Sequence, residues 1–277
     1  MAGGGSSLVG RRAMVTGGGR GIGRAAAAEL IRRGAEVVIG DLDQEVVDLA
    51  VGELGDRATG SVVDVADADS FARFYAAATE SGPIDVLINN AGIMPIGGFL
   101  EQSAATLNKA IEVNLGGCVN GMRTVLPDMV SRGAGHVINV ASTAGKTPVP
   151  GGMVYCATKS GVVALTETAR VEFADSGIDF TCVLPHFTKT ELIAGTAKTR
   201  FFPLVGPEDV ARGVADAIER PRADVYVPSV MGPVMATQPI LGRRLRDRFG
   251  KAIGAYDTFL TFDSKERSAY EGRIAGK

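Results

Sequence analysis

The residues best suited to chemistry are a tyrosine and a lysine, Tyr155 and Lys159, which stand four positions apart. Because a helix completes a turn in about 3.6 residues, this spacing on a helix places the ammonium on the same face as the phenol. Lowering the pKa of a tyrosine from ~10 to about 7 requires about 4 kcal/mol. One cation ~4 Å away, at an effective dielectric of ~20, supplies about 4 kcal/mol. The pair is therefore a candidate for proton transfer.

A glycine-rich turn, TGGGRGIG at residues 16–23, precedes this pair by more than a hundred residues. Its pattern is G-x-x-x-G-x-G, formed by Gly17, Gly21 and Gly23. Glycines in this pattern let the chain turn tightly into a helix and let backbone N–H groups approach a pyrophosphate at the helix N-terminus. Glycine clusters are common in tight turns, but this one directly follows the first predicted strand, which favours a dinucleotide site.

The choice between NAD and NADP depends on charges near that turn. Asp41 lies 18 residues beyond Gly23, at the end of the next apolar run, where a carboxylate can hold the adenosine ribose hydroxyls. Asp43 is an alternative carboxylate, but Asp41 is preferred because it ends the strand. Arg20 could instead meet the 2′-phosphate of NADP. Since that phosphate would face the like charge of Asp41, we expect NAD rather than NADP.

The elements that would position these residues alternate along the chain. Seven short apolar runs predict strands buried on both faces, at Ala13–Thr16, Glu36–Asp41, Gly60–Val65, Asp85–Asn89, His136–Ala141, Phe180–Leu184 and Val225–Val227. The segments between them predict helices at Gly21–Arg33, Gln44–Leu54, Ala68–Ser81, Ala104–Ser131, Val154–Ser176 and Pro207–Arg220. This alternation is typical of right-handed crossovers and a doubly wound parallel sheet.

The predicted organisation is therefore one α/β domain of the Rossmann type over residues 11–229. A disordered tail at residues 1–10 precedes it, and a C-terminal extension at residues 230–277 follows it. In such sheets, ligands bind outside the carboxyl ends of the strands. The polar residues of interest follow predicted strands in this way, with Asp41, Asp64 and Ser142 at three strand ends.

Composition narrows the function further. The chain has 277 residues and a formal net charge of -2, so charge gives no reason to expect a nucleic-acid partner. Its three cysteines form no C-x-x-C pair, which argues against a zinc site or a disulfide framework. Residues 1–7 lack the apolar core of a signal peptide. We therefore expect a cytoplasmic protein.

Taken together, these motifs resemble the short-chain dehydrogenase/reductase family over residues 12–229. The residues that carry the resemblance stand in the family's order: the cofactor turn with Thr16, Gly17, Gly21 and Gly23, the pair Asp64 and Val65, the segment Asn89, Asn90, Ala91 and Gly92, and the catalytic set Asn114, Ser142, Tyr155 and Lys159.

The resemblance implies a role for each catalytic residue. Tyr155 would be the general acid and base, while Ser142 would hydrogen-bond the reacting oxygen. Lys159 would hold the nicotinamide ribose and favour the phenolate, and Asn114 would hold a water that links Lys159 to solvent. The family's mechanism needs no metal. The implied cofactor contacts are Thr16, Gly17, Arg20, Gly21, Ile22, Gly23, Asp41, Asp64, Val65, Asn90, Ala91, Gly92, Tyr155, Lys159, Pro185, Thr188 and Thr190.

One position departs from the family pattern. After the sixth strand, the usual Pro-Gly is replaced by Pro185 and His186. Because histidine accepts unusual backbone angles less readily than glycine, the cofactor contacts implied for Thr188 and Thr190 are less secure. His186 could face the substrate, although an ordinary loop histidine is the preferred interpretation.

The predicted substrate side is mostly apolar. Its segments are residues 94–96, 147–153 and 187–204, which include Ile193, Phe201 and Phe202, and they contain no evident carboxylate clamp. We therefore expect a hydrophobic secondary alcohol or ketone as substrate. The alternatives are an NADP-dependent carbonyl or 3-oxoacyl reductase and a catalytically silent dinucleotide sensor.

Two kinds of partner are expected beyond the substrate. The family commonly forms tetramers through the helices predicted at Ala104–Ser131 and Val154–Ser176, so a homo-tetramer or dimer is implied. In the extension, residues 241–253 combine an apolar stripe with several arginines, a composition that can lie on an anionic membrane surface. Docking of this segment on its own domain or on a neighbouring subunit is the preferred alternative.

Overall fold

The computed structural model describes residues 8–196, 204–238, 240–252 and 258–274, without the side chains of Arg246, Phe249 and Ala252. Seven parallel strands form one sheet in the order β3-β2-β1-β4-β5-β6-β7. Their bounds are β1 Arg12–Thr16, β2 Glu36–Asp41, β3 Ala58–Val62, β4 Val86–Asn89, β5 Gly135–Val140, β6 Ile178–Pro185 and β7 Asp224–Val227. The strand order reverses between β1 and β4, so the ligand crevice lies at their carboxyl ends. The predicted doubly wound α/β fold is confirmed.

Ten α-helices occur in the described residues. Their bounds are α1 Gly21–Arg32, α2 Gln44–Leu54, α3 Ala68–Thr79, α4 Ala104–Ile111, α5 Gly117–Arg132, α6 Met153–Glu172, α7 Pro207–Glu219, α8 Met231–Thr237, α9 Arg243–Ala252 and α10 Ser264–Ile274. In that part of the chain, no helix has the length and apolar composition needed to cross a membrane.

The core lies on both faces of the sheet, as the continuous apolar runs predicted. Successive residues of β1 point to opposite faces, so Val15 packs with Leu30 of α1 and Val214 of α7, while Met14 packs with Phe71 of α3. All five side chains are nearly or fully buried. Since burying one large apolar side chain contributes roughly 1.5–3 kcal/mol, this two-sided core holds the carboxyl edge of the sheet in place.

The third strand differs from its prediction. Gly60–Val65 was expected, but β3 ends at Val62, which pairs with Asp41. Val63 and Val65 are buried although they lie beyond the strand, because they cover the core where the chain leaves the sheet. An apolar run therefore continued past the last paired residue, and its length alone misplaced the strand.

The long helix predicted at Ala104–Ser131 is interrupted. It consists of α4 and α5 joined by a π-helical turn at Glu112–Gly116. A π turn inserts a single residue into a helix and frequently marks a functional site. Apolar periodicity does not detect one inserted residue, so the sequence predicted a continuous helix.

The two ends of the chain also differ in detail from the prediction. Leu8 is buried, and its N–H donates to the carbonyl of Arg33 over 3.0 Å, so residues 8–10 belong to the folded domain rather than to the tail. Residues 1–7 lie outside the described residues. The extension contains α8, α9 and α10, and Phe259 and Tyr270 within it are buried against the domain.

Candidate active site

The glycine turn after β1 forms a cradle at the start of α1. Gly17 and Gly21 have φ of +62° and +50°, the left-handed region that favours glycine. A Cβ on Gly23 would lie 2.1 Å from the carbonyl oxygen of Gly17, so no larger residue fits there. Among the described residues no side chain caps the N-terminus of α1, and its first turn is without acidic residues. The free N–H groups therefore suit an anion such as a pyrophosphate.

The segment after β4 holds this turn in shape. The Asn90 side-chain amide donates to the carbonyls of Thr16 and Gly17, over 2.9 and 3.0 Å. The N–H groups of Asn90 and Ala91 both donate to the hydroxyl of Thr16. The carboxyl ends of β1 and β4 are thus joined by four hydrogen bonds, at the point where the strand order reverses.

The carboxylate of Asp41 lies directly beside the glycine turn. It accepts from the N–H of Gly19 over 3.1 Å and from its neighbour Leu42 over 2.9 Å. Arg20 points toward other carboxylates, with Asp43 at 3.5 Å and Glu191 at 3.8 Å. A 2′-phosphate near Asp41 would therefore meet a carboxylate, while the arginine of the turn is already engaged.

The pair predicted to contact the adenine lies further out. Asp64 is exposed and follows β3 at a distance of two residues, where its carboxylate accepts from the N–H of Ala66 over 2.9 Å. Val65 is buried, and its carbonyl accepts from the Asn120 amide over 2.9 Å. Neither residue lines the cavity at Ser142, Tyr155 and Lys159 or the second cavity, which lies against the glycine turn.

Three of the predicted catalytic residues meet at the ends of β5 and α6. Tyr155 and Lys159 lie on one face of α6, and the Lys159 Nζ is 5.9 Å from the centre of the Tyr155 ring. The ammonium donates to the carbonyl of Val140, the last residue of β5, over 2.8 Å. Ser142 follows that strand, and its hydroxyl interacts with the phenol of Tyr155. All three line one cavity.

Burial dominates the protonation of this group. It raises the pKa of Tyr155 above the ordinary value, while the hydrogen bond with Ser142 acts in the opposite direction. Burial also lowers the pKa of Lys159. Lys159 is not among the groups that shift the pKa of this phenol, so the effect of burial prevails.

Asn114 is fully buried in the π turn, and its side chain connects three elements. It accepts from the N–H of Ile93 over 2.7 Å and donates to the Ile93 carbonyl over 2.8 Å. Its amide also donates to the Thr158 hydroxyl of α6 over 3.1 Å. Asn114 therefore joins the segment after β4 to the helix that carries Tyr155 and Lys159.

The loop after β6 closes the other side of the crevice. Thr190 lies over the glycine turn, since a Cβ on Gly21 would meet its methyl group at 3.3 Å. The Thr188 hydroxyl donates to the carbonyl of His186 over 2.9 Å. None of the described non-glycine residues has a positive φ, so His186 adopts ordinary backbone angles in place of the family's glycine.

His186 lies in the cavity wall and is more than an ordinary loop histidine. Its Nδ1 is 3.0 Å from the Thr143 hydroxyl, and its ring meets that of Phe187 edge-on at 4.8 Å. Burial lowers the pKa of His186 to about 4, so the ring is neutral near pH 7. The sequence favoured an ordinary loop histidine and did not predict that this side chain lines the cavity.

The cavity beside the catalytic residues has a volume of about 230 Å³ and mostly apolar walls. The expected segments contribute Met94, Val149 and Ile193. Phe201 and Phe202 lie outside the described residues. Sequence reasoning missed the part of the wall formed by the C-terminal extension, including Met235 and Phe259. The sequence did not place the extension in the pocket wall, because its apolar residues belong to no recognised motif.

The fold and site define a dinucleotide-binding domain with a tyrosine–lysine pair beside an apolar pocket, and comparisons agree. The profile of the family described as short chain dehydrogenase matches residues 11–200. The 2,5-dichloro-2,5-cyclohexadiene-1,4-diol dehydrogenase LinX of Sphingobium indicum is 36% identical over 221 aligned residues, in an alignment that covers 74% of this chain and 88% of that protein. Oxidoreductase UcpA of Escherichia coli is 35% identical over 216 residues, covering 76% and 81%.

A solved short-chain dehydrogenase/reductase from Burkholderia phymatum, in complex with NAD, has a TM-score of 0.77 at 26% identity, covering 84% of this chain and 94% of that one. The present chain therefore belongs to the short-chain dehydrogenase/reductase family. It is accordingly an NAD(P)-dependent oxidoreductase that acts on CH–OH groups.

Proposed function

We propose that the protein transfers a hydride between NAD and a hydrophobic secondary alcohol or ketone. The observation that carries this proposal is the meeting of Ser142, Tyr155 and Lys159 at one apolar cavity beside the glycine turn. The cavity suits a largely apolar substrate with a polar reacting group, because its walls are mostly apolar and the hydroxyls of Ser142 and Tyr155 belong to its lining.

The chain's residues fit a dinucleotide. The cradle left by Gly17 and Gly23 would hold the pyrophosphate against the free N–H groups of α1. Asp41 would hold the adenosine ribose, and Lys159 the nicotinamide ribose. Thr190 lies close enough to Gly21 to cover the cofactor from the opposite loop. The further contacts proposed are Thr16, Arg20, Ile22, Asp64, Val65, Asn90, Ala91, Gly92, Tyr155, Pro185 and Thr188.

When bound, NAD supplies the acceptor for the hydride. Tyr155 removes the alcohol proton as the general base, and in the reverse direction it returns that proton to the carbonyl oxygen. Ser142 donates a hydrogen bond to the reacting oxygen and orients it toward the phenol. Lys159 stabilises the phenolate that forms once the proton has left. Asn114 fixes the π turn, whose open backbone can hold a water that relays protons from Lys159.

NAD is proposed over NADP because of the charges around the ribose site. Asp41 faces that site, and Arg20, the one cation of the turn, is paired with Asp43 and Glu191. An NADP-dependent carbonyl or 3-oxoacyl reductase would need Arg20 released and Asp41 shielded. A catalytically silent sensor would have no use for the complete set of Ser142, Tyr155 and Lys159.

This proposal is tested by screening secondary alcohols with NAD and with NADP. The absorbance of the reduced cofactor measures turnover. Calorimetric titration of both cofactors accompanies it. We expect turnover with at least one apolar secondary alcohol and tighter binding of NAD. Cofactor binding without turnover on any alcohol or ketone would favour the sensor, and tighter NADP binding would favour the reductase alternative.

We also propose that the protein is a cytoplasmic homo-oligomer, a tetramer or a dimer. Its three cysteines are free thiols in the structure, as suits a reducing compartment. Exposed apolar side chains on the helices of the expected interface support self-association: Ile111 on α4, Val130 on α5 and Val171 on α6. Light scattering after gel filtration measures the subunit number, and a monomer at micromolar concentration would contradict the proposal.

A further inference from the structure

The largest fully buried side chain described in this protein is a charged one, Arg267 of α10. Its guanidinium donates through Nη1 to the carbonyls of Leu192 and Ala194, over 2.8 and 3.2 Å. Through Nη2 it donates to the carbonyl of Met94. Its Nε pairs with Glu271 at 3.2 Å. A buried charge persists only when such partners compensate it, so this residue is fixed firmly in place.

The three carbonyls belong to two loops that are far apart in sequence. Met94 lies in the loop after β4, and Leu192 lies in the loop after β6. Both side chains line the substrate cavity, as does Ile193. The guanidinium therefore joins two loops of the pocket wall and holds the backbone of each.

Neighbouring contacts of the C-terminal segment act on the same two loops. The hydroxyl of Tyr270 accepts from the N–H of Met94 over 2.7 Å, and its ring lies 4.8 Å from the Arg267 guanidinium. The N–H of Asp263 donates to the carbonyl of Gly195 over 2.8 Å. These bonds attach α10 and the turn before it to both loops of the pocket wall.

We propose that Arg267 is a positioning residue that sets the width of the substrate pocket by clamping the loop after β6 to the loop after β4. Its planar fork presents five donors in a fixed geometry, which lets one side chain hold three carbonyls at once. A lysine carries its three donors on one nitrogen, so it cannot reach three separate carbonyls at the same spacing. The inference rests on the proposed function only in treating the cavity as the substrate site.

The consequence for catalysis is a dependence on substrate size. A bulky alcohol contacts both walls, so its binding depends on their separation, whereas a small alcohol contacts few wall atoms. Loss of the clamp should therefore raise KM for the bulky alcohol by about tenfold and for the smallest by less than about threefold, with kcat for the small alcohol within about twofold.

The experiment compares Arg267→Met and Arg267→Lys with the wild type. Arg132→Met is the matched control, because Arg132 donates to the carbonyl of Ile84 over 2.6 Å and its pairs lie remote from the cavity. KM and kcat are measured for a small and a bulky secondary alcohol. Hydrogen exchange is measured in substrate-free protein for residues 93–96 and 191–196, and for β5 as an internal reference.

We expect both Arg267 variants to exchange at least about tenfold faster at both loops with β5 unchanged, and the Arg132 variant to lose stability without either loop effect. Unchanged exchange at the two loops, or an equal KM change for both alcohols, would overturn the clamp. If Arg267→Met fails to fold, Arg267→Lys decides by the same two criteria. If the wild type oxidises no alcohol, the proposed function fails, and the exchange data alone decide for or against the clamp.

Discussion

At the scale of single residues, the balance between burial and charge at Tyr155 decides how the site works. The phenol is 7% exposed, and burial raises its pKa, while the ammonium of Lys159 lies 5.9 Å from the ring centre. The hydrogen bond with Ser142 opposes the effect of burial. In this state, the protonated phenol is the stable form at neutral pH, which suits a general acid better than a general base.

The raised pKa of Tyr155 predicts how the reaction rate depends on pH. Alcohol oxidation needs the deprotonated phenol, whose fraction grows with pH because the pKa of Tyr155 is raised. The rate of oxidation should therefore increase from about pH 7 to about pH 10, while ketone reduction, which uses the protonated phenol, should change little over the same range. Initial rates in both directions, with saturating cofactor, measure this. An oxidation rate that is highest near neutral pH and falls above it would show that another group limits proton removal.

The carboxylate beside the glycine turn should set cofactor preference. Removing Asp41 deletes the like charge that faces a 2′-phosphate, so Asp41→Ala should shift the ratio of NAD to NADP binding constants toward NADP by about tenfold, or about 1.4 kcal/mol. Asp43→Asn keeps the cap on α2 and removes one ion pair of Arg20, which stays paired with Glu191, so it should shift the ratio less. An equal or larger shift for Asp43→Asn would assign the preference to Asp43 rather than to Asp41.

At the scale of elements, the π turn between α4 and α5 has a structural task as well as a proposed catalytic one. Asn114→Ala would remove the hydrogen-bond partner of the part-buried N–H and carbonyl of Ile93, at a cost of about 1–3 kcal/mol each. The melting temperature should fall by roughly 4–24 °C, because about 2–4 °C corresponds to 1 kcal/mol in a chain of this size. The melting temperature of the Asn120→Ala variant, which loses a single hydrogen bond to Val65, should fall less. Equal melting temperatures would contradict this account.

The basic segment at residues 241–253, which includes α9, has two exposed leucines. Leu241 and Leu245 are 39% and 58% exposed, and Ile253 of the predicted stripe lies outside the described residues. We propose a neighbouring subunit as the partner of this face. Truncation before α9 would also remove Arg267, so the cleaner change is Leu245→Glu.

Leu245→Glu should lower the subunit number or weaken assembly, because a buried carboxylate at an interface is costly. Light scattering over a concentration series measures it, with Leu42→Glu, an equally exposed leucine after β2, as the control. Unchanged assembly, together with loss of co-sedimentation with anionic vesicles at low salt, would transfer the assignment to a membrane surface.

How far the sequence could predict this molecule depends on the kind of signal. Continuous apolar runs predicted the seven strands and their two-sided core, since burial on both faces leaves little choice of residue. The glycine turn, Ser142, Tyr155 and Lys159 were recognisable because their chemistry demands fixed types at fixed spacings. The π turn was not, because one inserted residue hardly changes a helical pattern. The role of Arg267 was also hidden, because its partners are backbone carbonyls, which leave no trace in residue types.

At the scale of the whole molecule, the site is assembled from distant parts of the chain. The glycine turn follows the first strand, Asn90 follows the fourth, the catalytic pair lies on α6, and part of the pocket wall belongs to the C-terminal extension. Because the parallel strands all end at one edge, these parts meet where the strand order reverses. The claim that they form a working dehydrogenase depends on a single proton-transferring group.

The most direct test of that claim is the turnover of Tyr155→Phe together with its affinity for NAD. The variant keeps the ring that lines the cavity and loses only the hydroxyl, so kcat should drop by about 10² to 10⁴-fold or more, with NAD binding nearly unchanged. Tyr226→Phe is the matched control, since Tyr226 lies 5.6 Å from Lys146 in a similar pair outside the catalytic set, and its turnover should stay near the wild-type value. Near-normal turnover by a folded Tyr155→Phe protein would contradict the account.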